Sequence, residues 1–524
     1  MSQQSNNLNV WWQRLQQPWL KNFPGDESGS TMPRQTPGKL YSITPTQEFD
    51  SAHLIHYNKP LAAELGLPQS LGEEFVSILN AQLPSDVQTY ATAYSGHQFG
   101  QWAGQLGDGR AILLGEITTN DGHAYEWQWK GAGATAYARR ADGRAVLRST
   151  IREYLMSEAM HHLGVPTSRA LSISLTGENV VRDVMYDGNA AYEKGAMMIR
   201  LAESFLRFGH FEFLAAQRDE KLLKDLLDFA IERYFPNIDL QSEKAYVQWF
   251  EEVCSRTLDL MVHWQRVGFV HGVMNTDNMS ALGLTIDYGP YSMLDDYDLE
   301  FTPNTTDLPG KRYKFGAQPA VALWNLNRLA NAIALIEKDT QSLESALNNY
   351  NDRFWEKFDR TMLHKLGLSG ELQEQKVWSR KSQKLLSTQR LDYNLFYTCL
   401  GSWKDGMSVK EHFETCMYHE PTEMQLQELK TFIDDWQKQR EDDVWSVEHS
   451  SKAMAANNPQ FVLRNYQLLL CTQQAEKGNF AMFHDLYKAL QTPYQSTELS
   501  KKYNQKRPDW AIDVVGAGQL SCSS

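Results

Sequence analysis

Cysteine is scarce in this sequence. There are five in 524 residues, Cys254, Cys399, Cys416, Cys471 and Cys522, and no two form a CxxC pair. That spacing excludes a disulfide framework or structural zinc site and points to a reducing, cytoplasmic compartment. Positive charge is also in deficit. The net charge is −13, so neither general nucleic-acid binding nor a nucleic-acid partner is expected. No apolar run approaches a membrane span, so no membrane partner is expected. The stretch MSQQSNNLNVWWQRLQQPWL lacks the charged start and apolar core of a signal peptide and the Arg-rich character of a transit peptide. There is no internal repeat and no low-complexity tract. Core-forming residues are plentiful: 42% of the chain is hydrophobic, with 15 Trp, 23 Tyr and 22 Phe. Such a chain folds as one large domain or two to three ordinary ones.

Residues 1–80 mix Pro-rich connection with short elements such as KPLAAELGLP, a small helix closed by Gly66 and Pro68. From 94 the composition changes. YSGHQFGQWAGQLGDGR is dense in Gly, AILLGEITT reads as a strand, and Asn120-Asp121-Gly122 is a hairpin turn signal. In the returning strand His123, Tyr125, Trp127 and Trp129 alternate with Ala124, Glu126, Gln128 and Lys130. Lys130 therefore falls on the face opposite the two Trp. In AVLRSTIREYLMSEAMHHLG, residues Leu147, Ile151, Tyr154, Leu155, Ala159 and Leu163 make a helical stripe, with Gly164 as its stop. LSISL, NVVRDVMY and AMMIRLA read as shorter strands. From about 220 the pattern is helical, breaks over 290–316, resumes with AVALWNLNRLANAIALIE and continues to about 490. The tail, 496–524, is polar.

The expected fold class is α+β, a β-rich N-terminal half followed by a helical one, in the order of a two-lobed protein-kinase-like fold. The expected divisions are an N-terminal extension packing on that core (1–80) and an N-lobe with Gly-rich loop, Lys strand and Glu helix (81–219). A helical C-lobe with the metal loop and additional helices (220–495) and a tail carrying Cys522 (496–524) follow.

The densest chemistry is HGVMNTDNMSALGLTIDYG, residues 271–289. Kinase loops that hold MgATP open with His, place an Asp base two residues on, an Asn metal ligand seven residues after the His, and a second ligand in a D-x-G Asp. His271, Asn278 and Asp287-Tyr288-Gly289 match, but the base position is Val273, which cannot take a proton. Asp277, beside the Asn, is the candidate base; capping a turn is its other reading. Asn278 and Asp287 offer hard oxygens to Mg²⁺ or Mn²⁺, whose remaining ligands are waters and phosphate oxygens. An Asx-rich turn before LTIDYG would look the same.

Lys130 and Glu153 are the expected ion pair, a strand Lys for phosphate oxygens and a helix carboxylate to orient it, with Glu158 as the alternative partner. Gly107-Asp108-Gly109-Arg110 can bring backbone N–H groups close to phosphate, and Arg110 can fork onto its oxygens. Arg139, Arg140, Arg144, Arg148 and Arg152 crowd one region of an acidic chain, and the last three have i, i+4 spacing on one expected helix face. Arg200 and Arg207 flank the strand end in IRLAESFLRFGHF. So many Arg suit a triphosphate clamped by its terminal phosphates. A solvated helix face is the other reading, and the favoured one for Arg148.

Together these residues resemble the selenoprotein O family, the protein adenylyltransferase pseudokinases, in a Cys-containing bacterial form. The resemblance runs from PLAAELGLP through SGHQFGQWAGQLGDGR, WKGAGATAYARRADGRAVLRSTIREYL, LRFGHFE, HGVMNTDNM and DYGPY to SCSS. It implies ATP bound in flipped orientation, with AMP transferred to Ser, Thr or Tyr hydroxyls of protein substrates. Auto-modification is admitted, as is UMP transfer with manganese. The implied nucleotide contacts are Gly107, Gly109, Arg110, Lys130, Asp142, Gly143, Arg200, Arg207 and Asp287. The implied ion-pair carboxylate is Glu153, the base Asp277, and the metal ligands Asn278 and Asp287. Cys522 stands where selenocysteine-containing members carry that residue, and is a candidate redox residue. Some bacterial relatives carry a partner Cys after the metal loop. This chain has Phe301-Thr302-Pro303-Asn304 there, which leaves Cys254, Cys399, Cys416 or Cys471 as substitutes. Two other functions stay open: conventional γ-phosphoryl transfer and a nucleotide-sensing scaffold without turnover.

Overall fold

Side-chain alternation along one strand decides how the sheet is sandwiched. The computed structural model describes residues 11–84, 86–119, 122–184, 188–370, 376–512, 514–518 and 520–521. Its strands are β1 (Leu15–Gln16), β2 (Gly25–Asp26), β3 (Tyr41–Ile43), β4 (His53–Tyr57), β5 (Tyr90–Thr92), β6 (Ser95–Gln98), β7 (Gln101–Gln105), β8 (Ala111–Thr118), β9 (Ala124–Lys130), β10 (Ala145–Val146), β11 (Arg169–Arg182), β12 (Ala191–Ala202), β13 (Phe269–Val270) and β14 (Ser292–Met293). A ten-stranded sheet runs β2-β3-β5-β8-β9-β12-β11-β4, with β1 added on β8 and β10 on β12. Residues 15–57 thus supply strands to the sheet itself. β6–β7 and β13–β14 are separate two-stranded pairs.

Directly opposed residues of antiparallel strands share a face. Lys130 opposes Met198 and Gln128 opposes Arg200, so these polar side chains lie together. Trp127 and Trp129 point the other way, into a core closed by Trp11, Phe49, Leu61 and Phe75 of the N-terminal segment. That segment carries the short helices α1 (Pro18–Asn22), α2 (Lys59–Glu64) and α3 (Glu73–Leu79). The Lys130 face is covered by α4 (Leu147–His162), which is buried nearly all round. Leu163 caps it and Gly164 follows at φ 74°.

The helical half comprises α5 (Phe208–Gln217), α6 (Glu220–Tyr234), α7 (Ala245–Val267), α8 (Gln318–Ile333), α9 (Thr340–Asn348), α10 (Tyr350–Lys365), α11 (Lys376–Gln389), α12 (Tyr393–Ser402), α13 (Val409–Phe413), α14 (Glu423–Glu441), α15 (Val447–Asn457), α16 (Asn465–Glu476), α17 (Ala481–Leu490) and α18 (Glu498–Tyr503). One large core runs from the α4 side of the sheet through these helices. Among the described residues, no helix is long and apolar enough to cross a membrane.

Several expectations are corrected. LSISL and the start of NVVRDVMY are one strand, β11, whose register shifts between Leu175 and Asn179. Helix begins at Phe208, not near 220. In FGHFEFLAAQ the residues 208–214 are all buried, so no polar stripe marks the period. The Gly-rich stretch after 94 contains the β6–β7 hairpin. Arg144 precedes α4, so it cannot share a helix face with Arg148 and Arg152. Arg148 is not a solvated residue: its guanidinium pairs with Glu193 at 2.9 Å. The tail is not uniformly polar surface. It forms α18, and Ala511, Ala517 and Leu520 are buried. Asn120 and Asp121 of the turn signal and Cys522 lie outside the described residues.

Candidate active site

The site grows from two adjacent strands and the helix above them. Lys130 ends β9 and Arg200 lies near the end of β12, both facing α4. On that helix Glu153 and Glu158 are five residues apart, roughly 140° around the axis at 3.6 residues per turn. Only one can face the strands. Glu153 bonds the Lys130 ammonium and accepts from Arg200 Nη1 at 3.0 Å. Glu158 accepts instead from Arg169 Nε and Nη2 at 2.9 Å each and from Asn58. The Arg200 Nη1 also reaches Asp287 at 2.8 Å, and Arg207 closes on the other Asp287 oxygen. Arg207 approaches Asp108 at 3.7 Å and lies over the Tyr94 ring at 4.7 Å. The result is a buried chain of alternating charge, Lys130–Glu153–Arg200–Asp287–Arg207–Asp108.

The loop after α7 supplies the other wall. His271 is buried and stacks on Trp264. Its Nε2–H donates to the Ile286 carbonyl at 2.9 Å and its Nδ1 accepts from Val273 N at 3.3 Å. Both ring nitrogens are engaged, and burial holds its pKa below the usual imidazole value. His271 thus fixes the loop without serving as a base. A short 3₁₀ turn, Thr276–Asn278, follows. Asn278 Nδ2 donates to Asp287 Oδ2 at 3.1 Å, while its Oδ1 is buried with no partner. Asp277 Oδ2 accepts from Gln98 at 3.2 Å, and its Oδ1 is likewise buried and unpartnered. Room for that carboxylate depends on Gly96, where a Cβ would sit 2.5 Å from Oδ1. Asp287 adopts φ 58°, a left-handed conformation that is uncommon for a non-glycine residue.

Charge states follow from these neighbours. Burial pushes the Asp287 carboxyl up, but Arg207, Arg200 and Lys130 outweigh it and hold the acid well below its ordinary range. Burial raises Asp277 to about 6, with the Asp287 charge assisting and the Gln98 bond, the Arg207 charge and a backbone hydrogen bond opposing. Burial lowers Lys130 to about 8, Glu153 opposing and Arg200 and Arg110 assisting.

The cleft between these walls encloses about 690 Å³. Gly107, Gly109, Arg110, Lys130, Asp142, Gly143, Arg200, Arg207, Asp277, Asn278 and Asp287 all line it, with Glu153 behind Lys130. Arg139, Arg140 and Arg144 line it as well. Gly107 sits at φ 150°, and its Cβ would meet the Tyr137 ring at 2.4 Å. Gly143 sits at φ 71°, where a Cβ would fall 2.2 Å from Ala134 N. Asp142 pairs with Arg182 at 2.8 Å. Arg152 faces away from the cleft, donating to Asn465 and the Tyr291 carbonyl.

Sequence reasoning missed Gln98, Tyr94, Gln128 and Arg182. Gln128, which accepts from Arg200 Nε at 2.6 Å, shares the Lys130 face and was open to detection by alternation. The contacts of Gln98 and Tyr94 span long sequence separations and leave no local signal.

Chemically, the cleft offers a floor of buried cations to an anion and a carboxylate with an unused oxygen beside it. Among the described residues no three His, Cys, Asp or Glu converge as a metal cage. The unpartnered Asn278 Oδ1 next to the Asp287 carboxylate nevertheless fits a hard cation whose other ligands come from phosphate and water.

The model of the family described as protein adenylyltransferase SelO matches residues 30–491. Among similar curated proteins, the protein nucleotidyltransferase YdiU of Cytophaga hutchinsonii is 47% identical over 511 residues, 97% of this chain and 98% of that protein. Those of Flavobacterium johnsoniae and Azoarcus sp. are each 42% identical, covering 98% and 97% of this chain and 99% and 98% of their own.

Proposed function

The chain belongs to the protein adenylyltransferase SelO family and is a nucleotidyltransferase; from that premise we propose that it moves AMP from ATP to Ser, Thr or Tyr hydroxyls of proteins, its own included. The observation that carries this reading is the depth of the cationic floor. Arg200 and Arg207 are each 2% exposed and Lys130 9%. Conventional kinase pockets need only one Lys and metal ions near the phosphates. Three buried cations suit β- and γ-phosphates bound deepest, in a flipped pose, with the α-phosphate left toward Asp277. Nucleotide phosphates would compete with Asp287 for the two guanidiniums, since both are charge-assisted acceptors.

In the transfer, the acceptor oxygen bonds to the α-phosphorus as the bond to the α,β-bridging oxygen breaks. Pyrophosphate leaves, and the hydroxyl proton goes to Asp277 Oδ1. The raised pKa of Asp277 brings it closer to a useful base strength than an exposed Asp. Asn278 and Asp287 would hold Mg²⁺ or Mn²⁺, which neutralises phosphate charge. UMP transfer with manganese is the same chemistry on another nucleotide. We further read the β-rich and helical halves as the two lobes of a kinase-like fold divided near 219, and Cys522 as a redox residue of the tail.

The test is paired labelling of a cell extract, with ATP labelled at the α- or the γ-phosphate and each metal in turn. Label retained on protein only from the α position is expected. Label only from γ would establish a conventional kinase and withdraw the roles given to Arg200 and Arg207. No label from either would favour the nucleotide-sensing scaffold.

A further inference from the structure

The β6–β7 hairpin is bound to the loop that carries Asp277. His97 N donates to Thr276 Oγ1 at 2.7 Å, Phe99 N to Asn275 Oδ1 at 3.1 Å, and Gln98 reaches Asp277 itself. Beyond the hairpin lies a layered basic and aromatic face. The Trp324 ring is flanked by two guanidiniums, Arg312 at 4.6 Å and Arg328 at 5.1 Å from its centroid. His97 stacks edge-on against Trp324 at 5.4 Å and Trp102 at 5.1 Å, and Trp102 is 45% exposed.

Neither guanidinium has an ion pair among the described residues, and the Nε of each is buried without a hydrogen-bond partner. The carboxylates that bear on them are committed elsewhere. Glu212 holds His97 Nδ1 at 2.6 Å, and Asp307 accepts from the backbone N of Arg312 and Tyr313. Two Arg without a direct ion pair on one face stand out on a chain of net charge −13. Their fork geometry suits carboxylates, and the exposed indole beside them suits the flat stems of a polypeptide.

We propose that the Trp102–Trp324–Arg312–Arg328 face docks an acidic segment of the acceptor protein, so that the hydroxyl presented to Asp277 is chosen by neighbouring Asp or Glu. The proposal rests on the transfer reading above for its purpose, but its binding step can be measured without it. His97 contacts both the Trp324 ring and the loop that carries Asp277, so the face adjoins that carboxylate. An extended segment advancing ~3.3 Å per residue then places its acidic side chains within a few positions of the acceptor.

The experiment uses two peptides with the same central Ser, flanked by Glu-rich or Lys-rich sequence, and copies of each with Ala for the Ser. Binding of the Ala peptides to the nucleotide-free full chain is followed by anisotropy. The Glu-rich peptide is expected to bind at least roughly tenfold tighter, with the difference shrinking at high salt. Arg328→Glu should abolish that preference while retaining ATP binding, and Trp102→Ala, on an exposed position, should weaken both peptides. Equal binding of the two peptides, or an unchanged preference in Arg328→Glu, overturns the proposal. The Ser peptides are then offered with α-labelled ATP. Label confined to the Glu-rich peptide supports the proposal, and equal label on both overturns it. Charge-dependent binding with no label on any peptide or on the enzyme upholds the docking face and overturns the transfer reading instead.

Discussion

Asp277 and Asp287 share one loop and line one cleft, yet their neighbours drive them apart. Asp287 faces two guanidiniums and stays ionised; Asp277 faces an amide and is raised by burial to about 6. Such divergence between carboxylates is how one site separates a charge anchor from a proton acceptor. It also has a stability cost with a definite sign. Between the ordinary Asp value of 3.8 and about 6, folded Asp277 keeps a proton that the unfolded chain has released. Ionising it in the folded state therefore destabilises the protein as pH rises through that window, and the full cost persists above it. Asp277→Asn should make the ligand-free protein, in chelator, more stable than wild type at neutral pH by on the order of 2 kcal/mol. The gain should vanish below about pH 4, as thermal melts across pH would report. The same variant should keep ATP binding and lose about 10²–10⁴-fold in transfer. A variant that melts like wild type at every pH would mean that Asp277 carries no such burden. Much of this was legible in sequence, because Lys130 and Glu153 follow from strand alternation and helix geometry. The charge of Asp277 was not. It depends on Gln98 and Gly96, which approach from a hairpin 179 residues away.

At the scale of elements, the β6–β7 hairpin roofs the loop that α7 delivers. It was legible only as a Gly-rich stretch, since strands of four and five residues broken by Phe99-Gly100 give no sustained alternation. Among the long elements, α7 and α8 were readable because each buries one periodic face. β8, β9 and α4, though buried on nearly every side, were readable from strand composition and alternation, a turn signal and an apolar helical stripe. α5 was hidden because it is buried on every side. The roof brings Gly96 into the candidate site through space alone: a methyl group there would lie 2.5 Å from Asp277 Oδ1 and 2.9 Å from its Cβ. Either the hairpin lifts or the carboxylate turns aside. Gly96→Ala should therefore bind ATP as wild type does, since the hairpin touches neither Lys130 nor Arg200. Its transfer rate should fall by about 10²-fold, the effect of a misplacement near 1 Å. Calorimetric titration with ATP and single-turnover labelling separate the two quantities. Matched losses in both would show that the hairpin also shapes the nucleotide pocket.

At the scale of the molecule, the C-terminal helices do more than enlarge the core. α16 and α17 pack on α4, the helix that carries Glu153. Arg152 donates to Asn465 at the start of α16 and to the Tyr291 carbonyl just past Asp287, and its guanidinium lies 4.4 Å from the centre of the Tyr291 ring. Tyr291 OH donates back to the Arg152 carbonyl at 2.6 Å. Next to Asn465, Arg464 binds Asp295 and Asp392 at 2.8 Å each, locking α16 to the segment that follows the loop. Tyr487 of α17 holds Asn58, which in turn holds Glu158 at the far end of α4. Helix α4 is thus pinned at both ends by elements more than 300 residues distant, which periodicity could not reveal. If this pinning keeps Glu153 on Lys130, loosening it should weaken nucleotide binding from outside the cleft. Arg152→Met keeps an unbranched apolar stem, shorter than the Arg side chain, while removing the bonds to Asn465 and Tyr291. It should cost about 1–3 kcal/mol of stability, the range for lost buried hydrogen bonds of a charged group. ATP affinity should fall about tenfold, equivalent to 1.4 kcal/mol. Leu429→Ala in α14 is the control, a cavity in the same core that leaves Arg152 intact. If that control loses ATP affinity to the same degree at equal melting temperature, the C-terminal helices act only through general stability; if it binds ATP as wild type does, they position the Lys130–Glu153 pair.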